Sequence, residues 1–384
     1  MKKHTSIIFI GCLLLIIGFS AWSVKPISES ILFIEQEHNE YEDLIRQFGL
    51  TSKMAHFGVP GISFAVIKNG KLDWAKAYGF LQSGKSQNVD TQTLFSVGSV
   101  SKVGAALITL KLQEDGKLDI DKNVNHYLKS WKIPNNQFTE QRPVTLRNIM
   151  SHTGGLTVHG FADFYPNESL PSTIQILNGK WPAKNNAVYV NIPVGSKFRY
   201  SGGGTTIAQM VAEDCTDRPF FYVADSLLFQ PLHMKRSSYQ NPLPGNIQNI
   251  AKAHNRNGEP VALPIGYQSM PEAAASGLWT TPTDFSKIMI MLMQAYKGNN
   301  SYLSQNTVID MMTAVSPSSY GLGPRIKKDK SKIQFSHGGA NDSYRAHFIG
   351  SLIEQNGLII FTNGARGSDL IEELIHKFDP FLFD

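Results

Sequence analysis

The stretch SVGSVSK, residues 96–102, offers three hydroxyl side chains and one amine within seven positions. Ser99 and Lys102 are three residues apart, and residues with that separation lie on one face of a helix. A lysine that is partly desolvated by apolar neighbours has a depressed pKa, and its neutral amine can accept the proton of a serine hydroxyl. The spacing therefore predicts a nucleophile at Ser99 with Lys102 as its base partner.

A helix must position this pair. Apolar residues recur at helical spacing after Lys102, and Gly116 lies just past the pattern. The helix is therefore expected to start near Ser99, which places Ser96 before it and points Ser101 elsewhere. Taken alone, a serine at a helix start is most often an N-cap, and about one or two Ser-x-x-Lys tetrapeptides arise by chance in a chain of this length. SVSK is the only such tetrapeptide in the chain.

Two further stretches could supply the rest of such a site. In FRYSGGGTT, Tyr200 precedes three glycines, which permit close approach of another backbone or of a substrate. In FSHGGANDSY, His337 precedes two glycines before a strand, a setting suited to a backbone N–H donor at Ala340 that faces a substrate. Read alone, Tyr200 could simply be packed, and His337 could be an ordinary surface or hydrogen-bonded histidine.

Strand patterns cluster at the two ends of the chain. An amphipathic helix is expected over residues 35–56, and Asn69-Gly70 between two apolar runs predicts a β-hairpin. Asn356-Gly357 stands between two more strand candidates, and SDLIEELIHKF then closes the chain as a helix.

The middle of the chain, about residues 103–300, is typical of helices and loops. Its clearest helix is TPTDFSKIMIMLMQAY, with Thr281 as N-cap and Pro282 in the first turn. We therefore expect an α/β (α+β) fold: one antiparallel sheet built from both chain ends and flanked by helices, with a mainly helical lobe inserted. The sheet lobe would comprise about residues 35–105 and 300–384, and the helical lobe about residues 106–299.

The N-terminus predicts export. Residues 1–23 combine lysines, an apolar run and small residues in the order of a secretory signal peptide, although an uncleaved membrane anchor remains open. Residues 24–384 would then form the functional domain. Cleavage would leave Cys215 as the only cysteine of the chain, since Cys12 lies in the apolar run, so no intramolecular disulfide could form.

Composition narrows the function classes. The 384 residues carry a formal charge of +5 with no block of basic residues, which argues against a nucleic-acid partner. No His-Glu-x-x-His or paired-cysteine element is present, so neither a metal nor another cofactor is expected. The chain also lacks the Gly-x-Ser-x-Gly elbow of α/β-hydrolases.

The motifs, taken together, resemble those of the penicillin-recognising serine hydrolases, the group of class C β-lactamases, D-Ala-D-Ala carboxypeptidases, D-aminopeptidases and related esterases. Six stretches match in the order typical of the family: VPGISFAVIKNGK, TLFSVGSVSKVGAALITLKLQEDGKLDID, VTLRNIMSHTGGL, GSKFRYSGGGTTIAQMVAE, AAASGLWTTPTDFSKIM and FSHGGANDSYRA. They span nearly the whole mature chain. SHTGGL, which contains His152, is interpreted as a structural landmark of the family.

The resemblance implies a role for each matching residue. Ser99 would be the acylated nucleophile, Lys102 its base partner and Tyr200 the catalytic phenol, with Lys102 and Tyr200 sharing the proton transfer. The backbone N–H groups of Ser99 and Ala340 would form the oxyanion hole. Substrate binding would involve the strand motif and the position two residues after the tyrosine: His337, Gly338, Gly339 and Gly202.

Two of these positions depart from the family pattern. Gly202 stands where the family usually has asparagine, so an amide contact to the substrate and to Lys102 is missing. His337 stands where efficient class C β-lactamases have a lysine, and a histidine with an ordinary pKa carries only a fraction of a charge at neutral pH. Both departures favour a peptidase or an esterase over an efficient β-lactamase.

The expected protein is thus an exported, periplasmic or secreted serine acyl hydrolase that forms an acyl-enzyme at Ser99. Its substrate would be a D-amino-acid peptide, an ester or a β-lactam, and it would be a monomer. The alternative is a non-catalytic cell-wall or penicillin-binding protein on the same fold, which the glycine at position 202 motivates. The loops that form the cleft, including residues 157–195, leave the substrate undecided.

Overall fold

A computed structural model describes residues 39–383. Their main sheet has six antiparallel strands in the order β2-β1-β8-β7-β6-β5, so that the first and last strands of the described residues, β1 and β8, are neighbours. A separate two-stranded sheet pairs β3 with β4. The strands are β1 (Gly61–Lys68), β2 (Lys71–Gly79), β3 (Phe95–Ser96), β4 (Trp279–Thr280), β5 (Arg325–Asp329), β6 (Lys332–Ala340), β7 (Arg345–Ser351) and β8 (Gly357–Thr362).

Helices flank this sheet and fill the middle of the chain, so the predicted α/β fold with a sheet from both chain ends is confirmed. The lobe boundaries stay a prediction. The α-helices of the described residues are α1 (Glu40–Phe48), α2 (Leu50–Phe57), α3 (Ser101–Glu114), α4 (Gln137–Gln141), α5 (Leu146–Met150), α6 (Thr173–Asn178), α7 (Gly202–Thr216), α8 (Phe220–Ala224), α9 (Ala273–Ser276), α10 (Pro282–Tyr296), α11 (Gln305–Met311) and α12 (Gly367–Leu382).

Turn chemistry explains where the elements begin and end. Asn69 and Gly70 both adopt positive φ, at 52° and 71°, as the predicted type I′ hairpin requires. The second hairpin differs from expectation, because Gly357 is the first residue of β8 and the connection spans residues 352–356. The helix expected over 35–56 is also divided, since Gly49 adopts a left-handed conformation between α1 and α2.

The central strands are covered on both faces. Along β1 and β8 nearly every residue is buried, and for that reason these strands read as continuous apolar runs. On one face Phe64 stacks near Phe378 of α12, with ring centroids 6.5 Å apart. On the other face Phe361 packs against Phe285 of α10 at 6.2 Å. The sheet is therefore a rigid support for residues carried at its edge.

Strand β6 passes very close to the turn that carries Ser99, a 3₁₀ turn at Gly98–Val100. A Cβ atom on Gly339 would lie 1.9 Å from the Val97 carbonyl oxygen, and a Cβ on Gly98 would lie 2.6 Å from the Ala340 nitrogen. Only glycines permit this approach, which fixes Ser99 beside the edge of the sheet.

The predicted signal or anchor, residues 1–23 with Cys12, lies outside the described residues. Between residues 39 and 383 none of the helices has the length and apolar character needed to cross a bilayer.

Candidate active site

Ser99 and Lys102 meet as their spacing predicts. Ser99 lies in the 3₁₀ turn immediately before α3, and Lys102 is the second residue of that helix. The Lys102 Nζ donates hydrogen bonds to Ser99 Oγ at 3.0 Å and to the Ala275 carbonyl oxygen at 2.7 Å. The helix thus begins slightly later than expected, and Ser99 remains on the face that Lys102 shares.

Burial changes the proton affinity of Lys102. The residue is only 5% exposed, and this desolvation lowers its pKa from 10.5 to about 7. A substantial fraction of the amine is then neutral at physiological pH and can accept a proton from Ser99. The Ala275 carbonyl, which sequence reasoning missed, holds the lysine in the absence of an amide at position 202. No side-chain pattern marks a backbone acceptor, so the sequence carries no signal for it.

The other two serines of the stretch have structural partners. Ser96 accepts a hydrogen bond from the Asn341 side-chain amide. Ser101 donates through Oγ to the Gly98 carbonyl and accepts from the Leu278 N–H, so it ties the start of α3 to the segment before β4. Neither side chain bonds to Lys102, as the helical geometry predicts.

Tyr200 reaches the same place from the segment before α7. Burial raises the pKa of its phenol to about 12, which outweighs the opposite effect of the nearby Ser99 side chain, so the phenol is protonated at neutral pH. The Lys102 Nζ lies 5.1 Å from the centre of the tyrosine ring. The ring packs between two imidazoles, with centroid distances of 4.2 Å to His152 and 5.0 Å to His159. These contacts fix the phenol against the nucleophile.

His152 belongs to the SHTGG turn and is buried. Its φ of 58° is unusual for a residue other than glycine. Its Nδ1 accepts a hydrogen bond from the Ser201 N–H, with 3.3 Å between the two nitrogens. Burial and the nearby charge of Lys102 hold its pKa well below the usual range, so the ring is neutral. His152 therefore supports Tyr200 through ring packing and through the backbone next to it.

His337 is a neutral group in this structure. It is 4% exposed, and burial together with the charge of Lys102 lowers its pKa to about 3. Its Nδ1 lies 2.6 Å from the Gly338 carbonyl oxygen, which can only accept, so the proton is on Nδ1. The Nε2 atom is buried without a hydrogen-bond partner. The fraction of positive charge expected from an ordinary histidine is thus absent, because the ring is desolvated.

The main chain of β6 closely approaches the turn that carries the nucleophile. A Cβ atom built on Gly339 would lie 3.1 Å from the Ser99 nitrogen. A Cβ atom built on Gly98 would lie 2.6 Å from the Ala340 nitrogen. The main chain of β6 and the turn at Ser99 therefore lie in direct contact. This proximity is compatible with an oxyanion hole made of the Ser99 and Ala340 N–H groups, which stays a prediction.

Gly202, the first residue of α7, is placed away from the open cleft. Its N–H donates to the His159 carbonyl oxygen at 3.0 Å, and a Cβ there would lie 3.0 Å from the Phe161 ring. The neighbouring Ser201 caps the helix by accepting from the Gly204 N–H. Position 202 is thus covered by the loop at residues 158–161.

A cavity of about 830 Å³ opens over the nucleophile. Six of the eight residues singled out from the sequence and the motif resemblance line this cavity: Ser99, Tyr200, His337, Gly338, Gly339 and Ala340. Lys102 lies directly behind Ser99. Sequence reasoning missed the rest of the lining: the rings of Phe161, Phe198 and Tyr320 and one side of α12. These residues come from separate loops, and no spacing rule connects them. In the part of the chain described, no group of three or more acidic, histidine or cysteine side chains could hold a metal ion.

Comparison with known proteins gives a consistent result. The family model described as Beta-lactamase matches residues 50–377. A beta-lactamase from Providencia stuartii is 28% identical over 307 residues, which cover 77% of this chain and 72% of that protein. A teichoic acid D-alanine hydrolase from Staphylococcus aureus is 24% identical over 263 residues, which cover 68% of this chain and 61% of that protein, less than two thirds of its length.

The fold also matches solved structures. The D-amino acid amidase from Ochrobactrum anthropi SV3, complexed with L-phenylalanine, superposes with a TM-score of 0.69 at 18% identity, over 89% of this chain and 99% of the amidase chain. At this level of identity the two proteins share a fold, and the amidase's own substrate is a property of the amidase.

Proposed function

The chain belongs to the beta-lactamase family, and on that premise we propose that it is a serine acyl hydrolase with a covalent intermediate at Ser99. The observation that carries the proposal is the 3.0 Å hydrogen bond between Ser99 Oγ and a lysine whose pKa is lowered to about 7. A neutral amine at hydrogen-bond distance is the base that a weakly acidic hydroxyl needs. Relatives in this family act as hydrolases, which supports the assignment.

In acylation, Ser99 Oγ attacks the substrate carbonyl carbon while its proton moves to Lys102 Nζ. The N–H groups of Ser99 and Ala340 stabilise the oxyanion of the tetrahedral intermediate. Tyr200 keeps its phenolic proton at neutral pH, so it is suited to donate toward the leaving group and to be reprotonated from Lys102. Collapse of the intermediate breaks the bond to the leaving group, which departs with that proton, and leaves the acyl group on Ser99.

Deacylation reverses these roles. A water molecule loses a proton to the same pair and attacks the acyl carbonyl carbon, and Ser99 Oγ leaves as a hydroxyl. The net reaction consumes one water and yields a carboxylic acid and an amine or alcohol. No step needs a metal or another cofactor, since Lys102 and Tyr200 handle every proton.

The substrate we propose is a D-amino-acid peptide, an ester or a β-lactam, with peptidase or esterase activity favoured over efficient β-lactamase activity. A permanent cation at position 337 would suit a substrate carboxylate, and here the imidazole is neutral. We further propose that the protein works outside the cytoplasm, after export directed by residues 1–23. It would act as a monomer on small or peptide substrates.

The rival function is that of a binding protein on the same fold. The glycine at position 202 favours it, because the family's amide is absent there. A burst experiment with p-nitrophenyl acetate separates the two functions. A hydrolase releases one equivalent of p-nitrophenol rapidly and then turns over, and Ser99→Ala removes both phases. A pure binding protein would release p-nitrophenol at the same slow rate with and without Ser99.

A further inference from the structure

The wall of the cleft next to Tyr200 is built by a loop in place of a side chain. A Cβ atom at position 202 would lie 3.0 Å from Phe161 Cε2 and 3.1 Å from the His159 carbonyl oxygen. Any side chain at this position would therefore require the Phe161 ring and the His159 carbonyl to shift by a few tenths of an ångström. The loop at residues 158–161, called the wall loop below, fills the space into which an amide at 202 would project.

Hydrogen bonds attach the wall loop to the start of α7. The N–H groups of Gly202 and Gly203 donate to the carbonyls of His159 and Val158, at 3.0 and 3.1 Å. Just before the loop, the Thr157 carbonyl accepts from Ser201 Oγ at 2.7 Å. Two N–H donors at the start of α7 are thus committed to this loop and the Ser201 hydroxyl to the residue before it, which makes the loop a fixed part of the site.

The wall loop presents rings to the cavity. His159 and Phe161 line it, and the ring of His159 lies against Tyr200. Phe198 and Tyr320 line it as well and stack on each other, with centroids 5.5 Å apart and an interplanar angle of 10°. A substrate group next to the nucleophile would therefore meet aromatic surface, which favours apolar and aromatic groups.

Fixed charge is scarce around the nucleophile. His337 is neutral, and Lys102 is largely covered. Among the residues that line the cavity, the one carboxylate belongs to Glu372, an exposed residue of α12. Neither a substrate carboxylate nor an ammonium beside the scissile carbonyl would find a buried partner of opposite charge, and an unpaired charge is costly to desolvate.

We propose that the wall loop makes this enzyme an esterase for uncharged, apolar acyl groups, with His159 and Phe161 as specificity-determining residues. The inference rests on the proposed acyl-enzyme at Ser99 and narrows its substrate class. The acyl group carries no acylamino group next to the scissile carbonyl and no carboxylate. It passes from the alcohol oxygen of the ester to Ser99 Oγ and then to water.

The test compares p-nitrophenyl esters that differ only in the acyl group: butyrate, phenylacetate, N-acetylalaninate and the hemiester of glutarate. We expect kcat/KM for butyrate and phenylacetate to exceed the values for the other two by at least about tenfold, after subtraction of the Ser99→Ala rate. Phe161→Ala should lower kcat/KM for phenylacetate and raise it for N-acetylalaninate, each by several-fold. Phe80→Ala, at an exposed phenylalanine outside the cavity, is the matched control and should change neither.

The outcomes separate the inference from the function on which it rests. Hydrolysis of all the esters with a preference for the acylamino or charged ones would overturn the inference and leave the acyl-enzyme in place. An equal change for every ester in Phe161→Ala, with an unchanged circular dichroism spectrum, would also overturn it. No turnover of any ester, with the wild type matching Ser99→Ala, would overturn both.

Discussion

Replacement of Lys102 by methionine tests the buried amine without requiring activity. Methionine has a similar length and carries no charge, so Lys102→Met removes the group whose pKa burial lowers to about 7. In the unfolded chain a lysine has a pKa of about 10.4. Between these two values the unfolded state binds more protons than the folded state, so the lysine's contribution makes the free energy of unfolding rise with pH.

The magnitude follows from the two pKa values. At pH 7 the lowered pKa reduces the free energy of unfolding by about 4 kcal/mol relative to a lysine with an unshifted pKa, and at pH 9 by about 2 kcal/mol. The free energy of unfolding of the wild type should therefore gain about 2 kcal/mol relative to Lys102→Met between pH 7 and 9. Loss of the hydrogen bond to Ala275 also destabilises the variant, but that effect is independent of pH and cancels in the difference.

Urea unfolding at pH 7, 8 and 9 measures this difference. Lys111→Met is the matched control, because Lys111 lies on the same helix, partly exposed and paired with Asp115. It should follow the wild type at all three pH values. A wild-type curve that runs parallel to that of Lys102→Met would refute the reasoning, since it would mean that Lys102 is fully charged in the folded protein. The activity should agree, with kcat/KM falling about tenfold per pH unit below pH 7.

Further substitutions test the rest of the site. Gly339→Ala should lower the free energy of unfolding by about 3 kcal/mol or more and abolish activity, because its Cβ would lie 1.9 Å from a backbone oxygen. The control Gly245→Ala, with open space around it, should change the free energy of unfolding by less than about 0.5 kcal/mol in the same urea assay. Tyr200→Phe should lower kcat about 10²–10⁴-fold with little change in Tm, since only the phenolic hydroxyl is lost and the ring remains. A kcat within threefold of wild type would exclude Tyr200 from proton transfer. His337→Lys should raise kcat/KM for the glutarate hemiester relative to butyrate about tenfold, whereas His337→Gln, which stays neutral, should leave that ratio unchanged.

Local patterns predicted the elements that depend on neighbours in sequence. The hairpin at Asn69-Gly70 and the N-cap at Thr281 follow from backbone preferences of single residues, and the structure has both. The pairing of Ser99 with Lys102 follows from helical periodicity alone. The break at Gly49 was missed, because the apolar periodicity continues across it.

Properties that depend on distant packing were beyond the sequence. The neutral state of His337 arises from burial among segments far apart in the chain, and its own neighbours give no sign of it. The Ala275 carbonyl that holds Lys102 is a backbone atom, 173 residues away, and has no side-chain signature. The glycine at position 202 was visible as a departure from the family pattern, but the loop that covers it could be recognised only in three dimensions.

The most direct test of the central claim is the mass of the protein after reaction with a fluorophosphonate. Such a probe phosphonylates an activated serine and releases fluoride, so the wild type should gain the mass of one phosphonyl group, which is the probe less HF, and a peptide digest should locate it on Ser99. Ser99→Ala should gain none under the same conditions, and Lys102→Met should react far more slowly. A wild type that stays unmodified, or a Ser99→Ala variant that is labelled to the same extent, would contradict the account.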